Sequence, residues 1–292
     1  MATRVPHGPP PGYRIPLALR AVRATNRVLA AVAPDVAVRG AAEMFFRPRR
    51  VRTSPPAVPG LRATRLDVEV SGRRVAAWSW GDGPVVLLSH GWEGHAGQFS
   101  PFVAPLLARG LRAVAIDMPA HGHSTGSETN MVDFARAIRA VAAAVGGAHA
   151  VVGHSLGGAA TALALADGLA ARRAVLIAPA AHPDYFVRAF GAIVGLPARL
   201  RERLLVQLRE RFGDLWRQAH VPQRVRALDV PALLLHDPAD PDVPFDHAVE
   251  IAAAWPDARL EPVEGVGHRR VLKDAGVVER AADFVTEGAV AR

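Results

Sequence analysis

The sequence predicts an α/β fold, in which helices cover both faces of a mostly parallel, doubly wound sheet. From residue 62 onward, short apolar runs alternate with stretches of helical periodicity. Hydrophobic residues make up 50% and charged residues 21% of the 292 residues, which is enough for a sizeable core. Cysteine is absent, so disulfides, thiolate metal sites and a cysteine nucleophile are excluded.

The first 60 residues differ from the rest of the chain. Residues 1–12 are rich in Pro and Gly and are expected to be irregular. Helices are predicted over 15–33 and 35–46, and the prolines in 48–60 predict an extended linker. On the first helix, apolar residues and arginines occupy separate stripes. The apolar stripe consists of Ile15, Leu19, Val22 and Leu29, and the arginine stripe of Arg20, Arg23 and Arg27.

Positive charge is concentrated in this N-terminal segment. The formal net charge is +8, of which residues 1–62 contribute +9 and residues 63–292 contribute −1. Binding to nucleic acid or to anionic lipid would therefore concern the N-terminal segment alone. We expect no nucleic acid partner. Binding of a nucleotide is not expected either, because neither a P-loop motif nor a G-x-G-x-x-G motif follows a predicted strand. We expect the apolar stripe to pack on the body of the protein, with contact to a membrane surface as the less favoured alternative.

The predicted strands follow the linker in order. Alternating polar and apolar residues over Arg62–Val70 and Arg73–Trp80, separated by Ser71-Gly72, predict a β-hairpin. Apolar runs are then expected to form the parallel strands. These runs are Val85–Ser89, Ala113–Ile116, Ala148–Val152, Ala174–Ala178, Ala232–Leu235 and Arg259–Val263.

Helical periodicity fills the intervals between these strands. Residues 183–229 break the alternation, because they carry helical spacing without a good strand, and they predict a helical insertion. The predicted domains are therefore a segment 1–60 and a domain 61–292 that contains the insertion. The other helices are predicted near 98–109, 130–145, 157–171, 244–254 and 276–286.

No apolar run is long enough to span a membrane, and arginines interrupt the only apolar stretch near the N-terminus. A membrane span and a signal peptide are therefore not expected, and a cytoplasmic location is the expectation.

Two segments match the G-x-S-x-G motif that surrounds a catalytic serine at a sharp strand-to-helix turn. They are Gly153-His154-Ser155-Leu156-Gly157 and Gly122-His123-Ser124-Thr125-Gly126. Such a turn requires a strand directly before the serine and a helix directly after it. Ser155 has the run Ala148–Val152 before it and an Ala/Leu-rich helical stretch behind it, whereas Ser124 has neither. We therefore predict Ser155 as the nucleophile and Ser124 as a loop serine.

A catalytic serine needs an adjacent base, and the base needs an acid that orients it. In open α/β sheets such groups lie at the carboxyl ends of the strands. His268 follows the last predicted strand in a glycine-rich loop and is the predicted base. Asp240 follows the strand Ala232–Leu235 and is the predicted acid. Asp237, as a residue that structures the turn, and Asp242, as a helix cap, are the competing candidates.

The segment His90-Gly91-Trp92 follows the strand Val85–Ser89, where the second donor of an oxyanion hole is expected. We predict that the backbone N–H groups of Trp92 and Leu156 form this hole. The alternative is a plain glycine turn in which Trp92 belongs to the core.

The histidines near this segment do not predict a metal site. His121 and His123 form an H-x-H pair with His95 nearby in the sequence, but no spacing to a carboxylate completes a ligand set. We expect neither a metal nor another cofactor. Asp117 and His121 are expected instead to hold their loop by hydrogen bonds.

Together, these segments resemble the α/β-hydrolase superfamily over about residues 64–290. The stretches that carry the resemblance are His90-Gly91-Trp92, residues 117–124, the Ser155 motif, Asp240 with Val243-Pro244, and Gly267-His268. They occur in family order and spacing. One departure is Ala120, where the family loop usually has glycine, and we expect this change to alter the loop's shape without touching the chemistry.

The resemblance implies an α/β-hydrolase fold with Ser155 as nucleophile, Asp240 as acid, His268 as base and residues 183–229 as a cap over the pocket. A serine at this turn argues against the haloalkane-dehalogenase and epoxide-hydrolase branches, which use aspartate there. The predicted function is hydrolysis of a small to medium ester or thioester through an acyl-enzyme.

Two kinds of alternative remain at this stage. The same site supports amide or C–C hydrolysis, acyl transfer or perhydrolysis, and a non-catalytic ligand-binding protein is the alternative of a different class. Candidate pocket residues are His90, Phe99, His154, Tyr185, Phe186 and Phe190, although aromatic residues in such folds are often core.

Overall fold

A computed structural model describes residues 16–51 and 56–287, and the chain divides into two compact units. One, here called the helical unit, comprises Met1–Arg47 and His182–His220. The other, the sheet unit, comprises Pro48–Ala181 and Val221–Arg292. The sequence did not predict this grouping of the N-terminal segment with the insertion. Residues 1–12 of the predicted irregular segment, Ile15, and residues 52–55 of the predicted linker lie outside the described residues.

The sheet and the helices follow the predicted order along the chain. The strands are β1 (Thr64–Val70), β2 (Arg73–Trp80), β3 (Val85–Ser89), β4 (Arg112–Ile116), β5 (Ala150–His154), β6 (Arg173–Ile177), β7 (Ala232–His236) and β8 (Ala258–Pro262). The α-helices are α1 (Leu17–Val32), α2 (Pro34–Phe45), α3 (Ser100–Ala108), α4 (Met131–Ala144), α5 (Leu156–Ala166), α6 (Pro183–Ile193), α7 (Ala198–Phe212), α8 (Asp214–Gln218), α9 (Val221–Arg224), α10 (Asp246–Ala254), α11 (Gly267–Arg270) and α12 (Ala275–Thr286).

The eight strands form one sheet in the order β1-β2-β4-β3-β5-β6-β7-β8. The pairs β1–β2 and β2–β4 are antiparallel and the remaining pairs are parallel, which confirms the predicted α/β fold. The predicted hairpin is also confirmed. Val70 pairs with Arg73, and both turn residues, Ser71 and Gly72, have positive φ, as a two-residue hairpin turn of the favoured hand requires.

The central parallel strands are buried, which explains their continuous apolar runs. Every residue of β3, β5 and β7 is buried, because helices cover both faces of a parallel sheet. Strand β5 lies two residues further along the chain than predicted, since Gly153 and His154 pair with Leu176 and Ile177 of β6. The strand therefore reaches Ser155 without an intervening residue.

The insertion begins and ends at neighbouring points of the sheet unit. The backbone N–H of Val221 donates to the carbonyl of Ala181 at 2.9 Å. Helix α9 begins at this contact. Residues 221–229, the end of the predicted insertion, therefore belong to the sheet unit.

In the helical unit, the N-terminal helices pack against the helices of the insertion. A buried apolar cluster includes Val38 of α2 and Leu200, Leu204 and Leu208 of α7. The Asn26 amide of α1 donates to the Val194 carbonyl at 2.8 Å within this packing. The predicted stripe residues Leu19, Val22 and Leu29 are partly buried against the same cluster. Their packing partner in this unit is therefore the insertion.

No helix within the described ranges is both long and apolar enough to cross a bilayer.

Candidate active site

Ser155 occupies a sharp turn between strand β5 and helix α5. Its φ of 55° and ψ of −121° are strained for a residue with a Cβ atom. The turn is held by hydrogen bonds from Ser155 N to the Ile177 carbonyl (2.9 Å) and from Ala159 N to the Ser155 carbonyl (3.1 Å). These hydrogen bonds thus hold Ser155 in a backbone conformation that an isolated serine would avoid.

The glycines of the motif are required by close backbone packing. A Cβ atom at Gly153 would lie 2.5 Å from the Gly157 carbonyl oxygen. One at Gly157 would lie 2.3 Å from the Ser89 carbonyl oxygen. The G-x-S-x-G pattern at Ser155 is therefore a packing requirement of this turn.

Ser124, in the second matching motif, has a different environment. Its hydroxyl donates to the Asp117 carbonyl at 2.5 Å and accepts from Ala76 N at 2.8 Å. Both hydrogen bonds tie the loop to the sheet. Ser124 thus serves as a loop serine.

His268 and Asp240 form a short hydrogen bond. His268 Nδ1 lies 2.7 Å from Asp240 Oδ2, and the Asp240 side chain is completely buried. The other carboxylate oxygen, Oδ1, accepts from the backbone N–H groups of Asp242 (2.8 Å) and Val243 (2.9 Å). Since Asp240 Oδ2 accepts the Nδ1 proton, Nε2 of a neutral His268 carries a lone pair, as a general base needs.

The environment of Asp240 keeps it ionised. Burial alone would raise the pKa of this carboxyl, but hydrogen bonds from His236 and His268 outweigh burial and hold the pKa well below its usual range. His236 Nε2 lies 3.4 Å from Asp240 Oδ2. A charged acid beside His268 stabilises the imidazolium that forms when a base takes up a proton.

The two competing aspartates have other partners. Asp237 accepts from Gly267 N at 2.6 Å and from Ala239 N at 2.9 Å, so it holds the loop that carries His268. Burial opposes ionisation of Asp237, but these backbone donors lower its pKa. Asp242 does not cap α10, whose N-cap position is Phe245, and its carboxylate lies 3.7 Å from Arg269 Nε.

His154 links the Ser155 turn to the His268 loop. Its Nε2 donates to the His268 carbonyl at 2.8 Å, and the two rings lie 4.7 Å apart. Burial, followed by repulsion from His268, lowers the pKa of His154 to about 3, so the ring is neutral at ordinary pH. Because His154 directly precedes Ser155, this bond ties the backbone of the predicted base to the residue before the predicted nucleophile.

Gly91, which precedes the predicted oxyanion residue Trp92, lies next to Ser155. A Cβ atom at Gly91 would be 2.8 Å from the Ser155 Cβ, so the Gly91 backbone is in contact with the serine. The Gly91 carbonyl accepts from His90 Nδ1 (2.7 Å) and from Gly94 N (3.1 Å). In a trans peptide the N–H of the next residue points away from the carbonyl oxygen. The bonds to the Gly91 carbonyl therefore fix the direction of the Trp92 N–H.

Leu156 is the first residue of α5, where backbone N–H groups have no acceptor within the helix. The positive end of the helix dipole lies at the same point. A role for the Leu156 N–H in an oxyanion hole, together with the Trp92 N–H, stays a prediction.

Residues 117–126 form a loop braced by buried polar groups. The Asp117 carboxylate accepts from Ala96 N (2.7 Å), His123 N (3.1 Å) and Trp78 Nε1 (3.2 Å). His90 Nε2 accepts from Met118 N at 3.0 Å, and burial holds the pKa of His90 well below its usual value. These bonds bear out the expected hydrogen-bonding role of Asp117.

Ala120 and His121 complete this loop. Ala120 has a φ of 65°, so it keeps the left-handed backbone that glycine favours. His121 accepts from Glu93 N at 2.9 Å and donates to the Pro119 carbonyl at 2.9 Å. No group of three or more His, Asp or Glu within residues 16–51 and 56–287 is arranged to hold a metal ion.

Comparison with known proteins agrees with this architecture. The profile of the alpha/beta hydrolase family matches residues 85–281. The chain belongs to the alpha/beta hydrolase family. It is 27% identical over 256 residues to a non-heme haloperoxidase of Rhodococcus erythropolis, a match that covers 71% of this chain and 93% of that one.

Solved structures share the fold. The esterase Pf2001 of Pyrococcus furiosus gives a TM-score of 0.65 at 18% identity, over 83% of this chain and 97% of that one. Est1E of Butyrivibrio proteoclasticus, solved with ferulic acid bound, gives a TM-score of 0.59 at 18% identity, over 76% of this chain and 97% of that one.

One ion pair of this alpha/beta hydrolase was missed by the sequence prediction. Glu93 follows the predicted oxyanion residue Trp92 and has a φ of 56°. Its carboxylate accepts from Arg49 through Nη2 (2.6 Å), Nε (3.0 Å) and the backbone N–H (3.1 Å). Burial would raise the pKa of Glu93, but its hydrogen bonds with Arg49 lower it.

Arg50 donates to the carbonyls of Ser124 (2.6 Å) and Gly126 (2.9 Å). The beginning of the predicted linker is therefore bound to the loop that carries Glu93 and to the loop that carries Ser124. The sequence shows only two arginines in a proline-rich stretch, which do not indicate their partners 44 and 74 residues away.

The candidate pocket residues lie in different surroundings. His90 and Phe99 are completely buried, and Phe99 packs on Phe102 in the core of the sheet unit. Tyr185, Phe186 and Phe190 lie on α6 of the helical unit, where Phe190 contacts Phe45 at 5.4 Å between ring centroids. A role for these aromatic residues in substrate binding stays a prediction.

Proposed function

We propose that this alpha/beta hydrolase is a serine hydrolase that cleaves carboxylic ester or thioester bonds of small to medium substrates. The observation that carries the proposal is the strained serine of the turn together with a histidine bound to a buried, ionised aspartate. Ester hydrolysis needs these groups, and no further cofactor, for its two acyl-transfer steps.

In the first step, Ser155 Oγ attacks the acyl carbon while His268 Nε2 takes its proton. His268 then gives this proton to the departing alcohol or thiol, which leaves the acyl group on Ser155. In the second step, water attacks the acyl-enzyme, His268 again takes and returns a proton, and the acid leaves. Asp240 orients His268 and stabilises its charged form.

The Trp92 and Leu156 N–H groups are proposed to bind the negative oxygen of each tetrahedral intermediate. Loss of one such donor typically lowers the rate by about 10²–10³-fold. His90 contributes indirectly, because its hydrogen bond to the Gly91 carbonyl orients the Trp92 peptide.

A series of p-nitrophenyl esters of increasing acyl length tests the proposal. The wild type is expected to hydrolyse short and medium esters, and Ser155→Ala to show only the background rate, while Ser124→Ala retains most activity. Equal loss in both variants with intact folds, or activity that persists in Ser155→Ala, would contradict the proposal.

Perhydrolysis is a second candidate, favoured by the similarity to a protein named as a haloperoxidase. Hydrogen peroxide would replace water as the nucleophile that attacks the acyl-enzyme, giving a peracid and regenerating Ser155. Peracid formation from acetate and peroxide, measured by bromination of monochlorodimedone, distinguishes this reaction from simple hydrolysis.

A further inference from the structure

The helical unit carries the whole net charge of the protein. Residues 1–47 and 182–220 contain 14 basic and 6 acidic residues, for a net +8. The sheet unit contains 21 basic and 21 acidic residues and is neutral. The net positive charge of the protein therefore falls on the two stretches of chain that make up the helical unit.

Helix α1 of this unit has apolar residues on two opposite faces. Its inner face includes Val22, Asn26 and Leu29, which pack within the helical unit. Its outer face, half a turn away, is exposed. The outer face consists of Leu17, Ala21, Ala24, Val28, Ala31 and Val32.

The large residues of the outer face are among the most exposed apolar side chains of the described residues. Leu17 is 79% exposed, Val32 74% and Val28 62%. Leu17, Val28 and Val32 lie eleven and four residues apart, which keeps them on one stripe along the helix. Val36 of the next helix, α2, is also exposed, at 44%.

Positive charge borders the stripe. Arg20 and Arg27 are exposed and lie along one side of it, and helix α1 contains no acidic residue. Neither arginine forms an ion pair with another described residue. Arg23, by contrast, is used within the unit, where it donates to the Ala192 and Ile193 carbonyls.

We propose that the outer face of α1 binds an anionic lipid surface. The apolar stripe enters the interfacial region while Arg20 and Arg27 contact lipid phosphates, and the helix lies parallel to the surface. With 16 residues, α1 is too short to span a bilayer, because a spanning helix needs about 20 residues. This inference is independent of the reaction proposed for Ser155.

Charge decides against a second copy of the protein as the occupant. Pairing two outer faces would bring the arginines of both copies together in two units that each carry +8. A phospholipid surface supplies the opposite charge instead.

Cosedimentation of the full chain with vesicles tests the proposal. The vesicles contain phosphatidylcholine alone or phosphatidylcholine with about one third phosphatidylglycerol. Binding is expected to the anionic vesicles and to weaken as salt is added. Leu17→Gln/Val28→Gln/Val32→Gln is expected to lower the partition coefficient at least tenfold, and Arg20→Gln/Arg27→Gln by about fivefold per arginine.

Matched controls exclude general effects of polarity and charge. Val206→Gln/Leu215→Gln removes exposed apolar groups elsewhere in the helical unit, and Arg139→Gln/Arg172→Gln removes the same charge from the sheet unit. Both controls are expected to bind like the wild type, and all variants to keep the wild-type melting temperature.

Three outcomes would overturn the proposal. They are equal binding by the wild type and the α1 variants, equal loss in the controls, and a concentration-dependent dimer that only the α1 apolar variant abolishes. Ester hydrolysis measured without vesicles is expected to be the same in all these variants. A lack of activity would therefore count against the proposed reaction and not against lipid binding.

Discussion

Asp240→Asn removes the charge next to His268 with little change in side-chain size. In the protein, two donors from His268 and His236 face Oδ2, and two backbone N–H groups face Oδ1. An asparagine amide has an acceptor on one side only. Whichever way it is oriented, its NH₂ group faces a pair of donors.

If the NH₂ group faces His268, the ring must carry its proton on Nε2 and cannot take one from Ser155. We expect kcat to fall about 10⁴-fold, or about 5 kcal/mol in activation free energy. The lost hydrogen bonds should also lower the free energy of unfolding by about 1–3 kcal/mol. Asp237→Asn is the matched control, because it weakens the contact to Gly267 N and leaves the His268 ring bonded.

The assay is steady-state hydrolysis of the best p-nitrophenyl ester, with circular dichroism and thermal melting to confirm folding. Asp237→Asn is expected to lose about tenfold in kcat through displacement of the loop. A folded Asp240→Asn variant with kcat within tenfold of wild type, or a greater loss in Asp237→Asn, would refute the reasoning.

Two further predictions concern the buried, neutral His154 and the ion pair between Arg49 and Glu93. Because the pKa of His154 is about 3 in the folded protein and 6.5 for a histidine in an unstructured peptide, the unfolded state takes up this proton first as pH falls. The unfolding free energy should therefore drop by about 2 kcal/mol between pH 7 and 5 from this group alone. Urea titrations of His154→Gln, which keeps a donor for the His268 carbonyl, should show a smaller drop between these pH values. The same drop in the variant as in the wild type would contradict the prediction. Arg49→Ala should lower kcat about tenfold with little change in KM, by releasing the Glu93 loop, whereas Arg65→Ala, which breaks an exposed pair on β1, should leave kcat unchanged; equal effects would show that Arg49 does not position the site.

The local features of the site were predictable because they are encoded within short segments. The strand before Ser155 and the helix after it distinguish Ser155 from Ser124 in the sequence. The glycines on either side of Ser155 are required by close backbone contacts at the same turn. The order of strands and helices followed from periodicity, since a parallel sheet buries its central strands on both faces.

The long-range pairings were not predictable from the same patterns. An apolar stripe on α1 indicates that a surface becomes buried, but it does not identify the covering surface, which proved to be the insertion. Likewise, nothing in the sequence indicates that Arg49 pairs with Glu93 rather than with another acidic residue. The choice of Asp240 over Asp237 rested on the family resemblance, and the observed contacts of both carboxylates now give each a separate role to test.

Fluorophosphonate labelling followed by intact-mass analysis tests the central claim most directly, because it reports the activated serine without requiring knowledge of the substrate. The account predicts one adduct on the wild type and on Ser124→Ala, and none on Ser155→Ala. An adduct of the same yield on folded Ser155→Ala would contradict it.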